Sequence, residues 1–176
     1  MDKKLVKGIL LENTVSFLRE RKGEPAVKEL EKGKGNMIFN QHQMYPLEDL
    51  IDLQELVIAA VYGEKSEMGF KELGNYEFEA FASSVVGATL TNVATSPKEL
   101  LSKIQEIWNT VTNFGTRKLT KINENDNFAI LEIIDDPRSP SYLSGVIEAG
   151  LKSIKVEATI KIITEKDNLY RMEIRW

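Results

Sequence analysis

Apolar positions in the first two thirds of the chain recur at helical spacing, and after Gly115 they alternate. Leu5, Ile9, Val15 and Leu18 form the first stripe, over residues 5–21, and Lys22-Gly23 supplies its stop. A short helix is predicted over residues 24–32, with Pro25 in the first turn, where its missing N–H costs nothing. Residues 35–46 hold Phe39, His42, Met44 and Tyr45 without a clean period and read as a loop, or a very short helical piece, laid over apolar surface. From Leu47 the stripe strengthens through Leu50, Leu53, Val57 and Val61 to Gly63, with Glu48, Asp49 and Asp52 near its start, where the helix dipole favours acids. Residues 66–73 read as a turn or two of helix, and residues 74–93 as a longer helix carrying Tyr76, Phe78, Phe81, Val85, Val86 and Leu90. Ser96-Pro97-Lys98-Glu99 is a capping box with proline at the first helical position. It opens a helix whose buried stripe is Leu100, Leu101, Ile104, Ile107, Trp108 and Val111.

In the last third, residues 117–122 and 128–134 flank the turn-forming run Asn123-Glu124-Asn125-Asp126-Asn127, which predicts a hairpin. Only Glu132 interrupts the apolar second strand, so it is expected to be central and covered on both faces. Pro137, Ser139 and Pro140 lead into a helix over residues 141–151, where Gly145, Ala149 and Gly150 lower the bulk and allow a close approach to the sheet or to a bound molecule. Residues 155–163 alternate with Val156, Ala158, Ile160 and Ile162 inward, and residues 169–176 with Tyr170, Met172, Ile174 and Trp176 inward. Glu165-Lys166-Asp167-Asn168 joins them as a second hairpin loop. The expected fold class is α+β: about six helices over residues 1–114, then a four-stranded antiparallel sheet with one inserted helix over residues 115–176, all in one domain.

Composition narrows the chemistry. The chain has 176 residues, with 23 Lys plus Arg against 27 Asp plus Glu, a net charge of −4 with the signs interspersed. The basic footprint of a nucleic-acid binder is missing, so no nucleic-acid partner is expected. Without cysteine there is no disulfide, thiolate nucleophile or thiolate metal site, and a reducing cytoplasm fits best. Glu12 and Asn13 break the only apolar run near the N-terminus, so neither a signal peptide nor a membrane span is expected. His42 is the single histidine and has no second imidazole with which to build a zinc site, and no G-x-S-x-G motif accompanies it. It reads as a surface or satisfied loop residue before it reads as a ligand. Asp135-Asp136 is the obvious carboxylate pair, but neighbours at a strand end point to opposite faces and Pro137 marks a turn, so both are expected in solvent. The run from Gly145 to Gly150 matches neither phosphate-binding fingerprint. Lys3, Lys4 and Lys7, like Arg19, Arg21 and Lys22, have acids among them and read as solvated faces. Enzymatic chemistry therefore finds no support in the motifs. Tyr76, Phe78, Phe81, Trp108, Phe114, Tyr142 and Trp176 all fall on elements predicted to face inward, where aromatic stripes are most often core.

Element order and local motifs together resemble haem–nitric oxide/oxygen-binding (H-NOX) domains from end to end. The resemblance rests on the segment from Phe17 to Glu24, Tyr45-Pro46 before a long helix, Phe70-Lys71-Glu72-Leu73-Gly74-Asn75-Tyr76, the helix ending at Trp108, and Tyr142-Leu143-Ser144-Gly145-Val146-Ile147 before the last two strands. By the family register Trp108 stands at the proximal-histidine position. The propionate-binding Tyr-x-Ser-x-Arg motif would fall where this chain reads Glu132-Ile133-Ile134-Asp135-Asp136. An indole cannot ligate iron, and two aspartates repel propionates, so the resemblance implies a domain without ordinary haem ligation.

Haem-free relatives in that superfamily are similar in fold to vinyl-reductase-type domains and to components of the vesicle-tethering complex TRAPP. A bacterial branch common in myxobacteria shares Tyr45-Pro46, Glu72-Leu73-Gly74, an aromatic at Trp108, Asn113-Phe114, the Gly145 to Leu151 helix, and a final strand running from Tyr170 to Trp176. This likeness implies a non-enzymatic sensory or signalling domain that binds a small apolar or planar ligand, with a signalling protein or a second copy as partner. The expected pocket is lined by Leu101, Ile104, Trp108, Ile134, Tyr142 and Gly145, with Tyr142 or Tyr76 supplying polar groups. No cofactor and no metal are expected. Two alternatives stand beside this reading: an interaction or dimerisation module whose haem space is filled by side chains, and a haem or NO sensor with unconventional ligation through His42.

Overall fold

The computed structural model describes residues 3–84, 87–89, 94–166 and 169–176. The chain begins with β1 (Leu5–Lys7), followed by α1 (Gly8–Lys22), α2 (Glu24–Lys34), β2 (Met44–Pro46), α3 (Leu47–Tyr62), α4 (Glu67–Ala82) and α5 (Pro97–Asn109). A hairpin β3 (Thr116–Asn123) and β4 (Phe128–Ile134), a helix α6 (Pro140–Ser153), and strands β5 (Thr159–Lys166) and β6 (Leu169–Arg175) complete it. The last four strands form one antiparallel sheet in the order β3-β4-β6-β5. The α+β order of helices, then sheet with an inserted helix, is the one the periodicity indicates. The expected helix residues Val85, Val86 and Leu90, and the loop residues Asp167 and Asn168, lie outside the described residues.

The N-terminal segment departs from its pattern. Leu5 carries helical spacing, yet Leu5 to Lys7 pair antiparallel with Met44 to Pro46, and Val6 also bridges to Thr112. The Lys7 N–H donates to Val111 O at 2.8 Å, and the Asn113 side chain accepts from Leu5 N at 2.7 Å. Backbone pairing with two distant segments overrides the local propensity, so the helix starts only at Gly8. A Cβ at Gly8 would meet Asn40 O at 2.2 Å, which fixes glycine where the loop crosses the helix start.

The turns expected over residues 66–73 and the helix expected from residue 74 form one helix, Glu67–Ala82, with Ser66 as its N-cap. Gly74 does not interrupt α4 because it faces α6: a Cβ there would meet Tyr142 O at 2.1 Å, and a Cβ at Gly145 would meet Lys71 O at the same distance. This reciprocal pair brings two helix backbones into contact. Gly145 therefore serves helix–helix packing, not approach to the sheet or to a ligand.

Helix ends follow the sequence signals. Ser96 Oγ accepts from Glu99 N at 3.3 Å, and Glu99 in return accepts from Thr95 N at 2.7 Å. Ser66 and Ser139 cap α4 and α6, each side chain accepting from the backbone N–H three residues on, Gly69 and Tyr142. On the inner sheet face, Ala129, Leu131, Ile133, Met172 and Ile174 are buried in the main core. The second face of β4 is not covered as expected: Phe128 and Ile130 are half-buried, and Ile134 is 39 % exposed. Strand β4 is central within the sheet, but among the described residues helices pack on one side only.

Candidate functional site

Helices α1, α4, α5 and α6 line a partly open cavity of about 50 Å³ with almost wholly apolar walls. Leu100, Leu101, Ile104, Ile107, Trp108 and Val111 contribute from α5 and its C-terminal end, Phe78 and Phe81 from α4, Leu10 from α1, and Tyr142, Val146, Ile147 and Gly150 from α6. Glu77 supplies the only carboxyl among the lining residues. Of the residues expected to line a pocket, Leu101, Ile104, Trp108 and Tyr142 meet here. The other three stand elsewhere. Ile134 ends β4 on the open face of the sheet, and Gly145 faces Lys71. Tyr76 lies outside the cavity, edge-on to Phe17 with ring centroids 5.4 Å apart, its hydroxyl donating to Glu20 at 2.7 Å.

Trp108 is buried, and two guanidinium groups lie against it. The Arg117 and Arg138 carbons are 4.0 Å and 4.4 Å from the ring centroid. Arg117 comes from β3, Arg138 from the turn before α6, and both donate to Asp136 between them. Arg138 does so through Nε at 3.0 Å and Nη2 at 2.6 Å, and Arg117 through Nη2. Asp136 and Arg138 have essentially no exposed surface. The expectation that both aspartates lie in a solvated turn is therefore corrected for Asp136. Asp135 adopts φ 61° and points out to Lys4 at 2.5 Å, which turns Asp136 inward. A buried carboxylate is tolerated here because two cations and a backbone N–H surround it.

Burial alone would raise the Asp136 carboxyl, but the charge and hydrogen bond of Arg138 and the charge of Arg117 outweigh it and hold it below its ordinary range. Burial draws Arg117 down to about 9, against the attraction of Asp136, so it stays charged at neutral pH. Three donors in this cluster, Trp108 Nε1, Arg117 Nε and Arg138 Nη1, have no hydrogen-bond partner among the described residues.

A second polar group borders the cavity. Glu77 is fully buried on α4, accepting from the Tyr142 hydroxyl at 2.6 Å, Thr14 Oγ1 at 2.7 Å and Gln54 Nε2 at 3.3 Å. Burial raises its carboxyl, and the hydrogen bonds from Tyr142, Thr14 and Gln54, with the charge of Arg138, only partly oppose that. Sequence reading missed Glu77, Arg117 and Arg138 altogether. For Glu77 the available signal was its position one residue before Phe78 on the inward face of a helix.

His42 sits in an exposed turn of the loop between α2 and β2, its backbone N–H donating to Asn40 at 3.0 Å. Among the described residues no group of three or more His, Cys, Asp or Glu is placed to hold a metal ion. Nor is any helix among them long and apolar enough to cross a membrane.

The fold is that of H-NOX domains. A mutant of the H-NOX protein from K. algicida, unliganded in its Fe(II) state, superposes with TM-score 0.76 at 14 % identity, covering 96 % of this chain and 95 % of its own. The H-NOX protein from S. oneidensis in its Fe(II)NO state gives 0.74 at 14 % identity, with 96 % and 98 % covered. An oxygen-binding H-NOX domain related to soluble guanylate cyclases gives 0.71 at 16 % identity, with 96 % and 93 % covered. Within this fold the chain belongs to the family described as "Protein of unknown function (DUF2378)", whose profile matches residues 2–176. No curated protein gives a significant sequence match.

Proposed function

We propose that this chain is a non-enzymatic signalling module of the H-NOX-like fold that works without haem, its cofactor space closed by side chains. The observation that carries the reading is Trp108 held against Arg117 and Arg138 by the buried Asp136. Three features of the site argue against haem. The cavity is about 50 Å³, whereas sites for cofactor-sized ligands run to about 300–1,000 Å³. By the family register the residue at the proximal position is Trp108, whose indole N–H donates and offers iron no lone pair. The one imidazole, that of His42, is exposed on a loop.

The residues present therefore do not fit the group that the H-NOX neighbours carry. Titration of the purified protein with hemin tests this. The expected result is no saturable Soret band and no rise in melting temperature, since a ligand of the native state would stabilise it. A saturable Soret band overturns the reading, and His42→Ala then shows whether His42 holds the iron.

The residual cavity favours one addition: a small apolar ligand, far smaller than a porphyrin, beside Trp108. Apolar cavities of this kind stay dry and take up xenon or small hydrocarbons. Xenon should bind wild type with a saturable NMR shift at Ile104 and Leu101, and Ile104→Phe should abolish it. A planar, porphyrin-sized ligand has no room in this arrangement.

A further inference from the structure

Among the described residues the four-stranded sheet leaves one face without a helix, although β4 carries Phe128, Ile130 and Ile134 on that side, with Glu132 among them. Across β3, β4, β6 and β5, one row of that face reads Lys118, Glu132, Arg171 and Ile163. The next row reads Lys121, Ile130, Glu173 and Lys161. Beyond it Phe128 lies beneath two cations, with Lys121 Nζ 5.4 Å and the Arg175 guanidinium 4.7 Å from its ring centroid. Phe128, Ile130 and Ile134 thus lie along β4 on this face as apolar positions interrupted by Glu132, which pairs with Arg171 at 3.3 Å. Lys118 and Lys121 flank them on β3, and Arg171, Arg175 and Lys161 on β6 and β5. Among the described residues of these rows the acids are Glu132 and Glu173, so cations outnumber them on a chain whose net charge is −4.

We propose that this face docks a segment of a partner protein bearing an apolar stripe with acidic flanks. Charge complementarity points to an acidic partner, and the three apolar positions to apolar side chains that finish covering β4. A nucleic acid fits poorly: Glu132 and Glu173 stand inside the face and would repel phosphates, and the net negative chain repels a polyanion at long range. The same two acids argue against an anionic lipid surface. The inference holds whether or not the space beside Trp108 is haem-free.

The test is an NMR titration of ¹⁵N-labelled protein with a synthetic amphipathic peptide carrying a Leu stripe flanked by Glu. A poly-dT oligonucleotide and phosphatidylserine-containing vesicles serve as competing probes. The expected result is saturable shifts on β3, β4 and β6, weakened by salt. Kd should rise by about tenfold or more in Lys118→Glu/Lys121→Glu, and by little in the control Lys152→Glu on α6. Lys118 and Lys121 are exposed on an edge strand, and Lys161→Glu on β5 provides a second variant should the double one lose its fold. The proposal is overturned by shifts that map elsewhere or do not saturate, by unchanged affinity in the variants, or by tighter binding of oligonucleotide or vesicle than of peptide. Concentration-dependent shifts on this face without peptide would assign it to a second copy and also overturn it.

Discussion

Asp136 and Glu77 are both buried carboxyls, Tyr142 lies between their surroundings, and burial pushes each towards the neutral form; only one resists. Arg138 and Arg117 bind Asp136 directly and keep it ionised. Glu77 has three hydrogen-bonding partners, Tyr142, Thr14 and Gln54, none of them a cation, and its carboxyl is raised. The Thr14 hydroxyl shows how a neutral acid fits. It lies 2.9 Å from Leu10 O and 2.7 Å from Glu77 Oε1, yet has one hydrogen to give. If Glu77 holds a proton it donates to Thr14, and Thr14 donates to Leu10, so both contacts are made. Three neutral donors do not offset the desolvation of Glu77, whereas the guanidinium groups of Arg138 and Arg117 offset that of Asp136.

The largest expected effect comes from breaking the charged side of the comparison. Asp136→Ala leaves Arg117 and Arg138 buried against Trp108 without their counter-ion, which should cost about 3–5 kcal/mol. Urea denaturation at neutral pH measures it, and Asp136→Asn should lose a similar amount because shape is kept and charge is not. A loss under about 1 kcal/mol would mean that the two arginines find water or another partner.

A smaller effect tests the neutral side. Gly145 on α6 and Gly74 on α4 set the spacing at which Tyr142 reaches Glu77. Gly145→Ala puts a methyl group against Lys71 O, forces the helices apart, and should cost about 1–3 kcal/mol. Hydrogen exchange at the amides of α4 and α6 should speed up together. Unchanged exchange would show that the Tyr142–Glu77 bond does not depend on this contact.

Much of this architecture is legible in the sequence, and the polar site is not. Period-two alternation at Tyr170, Met172 and Ile174 and the Ser96–Glu99 box are local signals, and local signals locate β6 and α5 well. Leu5 to Lys7 read as helix because their partners, Met44 to Pro46 and Thr112, are far away in sequence. Asp136 reads as a turn residue for the same reason. Its inward direction needs the left-handed Asp135 and a guanidinium delivered from β3, 19 positions upstream. Arg138, two positions on, looks like one more polar residue among prolines. Ile134 continues the apolar run of β4, but the run does not reveal that helices cover one face of the sheet and leave the other for Lys118, Arg171 and their neighbours. Trp108 is legible as a buried aromatic, whereas its two cations are a tertiary fact.

The smallest expected effect is a pH dependence in which the two carboxyls have opposite signs. Asp136 is held below its unfolded value, so the stability it contributes is present above that value, near 3.8, and is lost as pH falls through its folded value. Glu77 is raised above its unfolded value, near 4.5, so its contribution is complete below that pH and is lost as pH rises towards and through its folded value. Glu77→Gln keeps a neutral side chain of the same size and removes only the second slope. At pH 4 the variant should lie within about 0.5 kcal/mol of wild type. As pH rises the wild type should lose stability relative to the variant, by up to about 1.4 kcal/mol for each unit separating the folded and unfolded values. Parallel pH profiles of the two proteins in urea denaturation would show that Glu77 is ionised in the folded state like Asp136, with the positive charge of Arg138 reaching across Tyr142 to stabilise both.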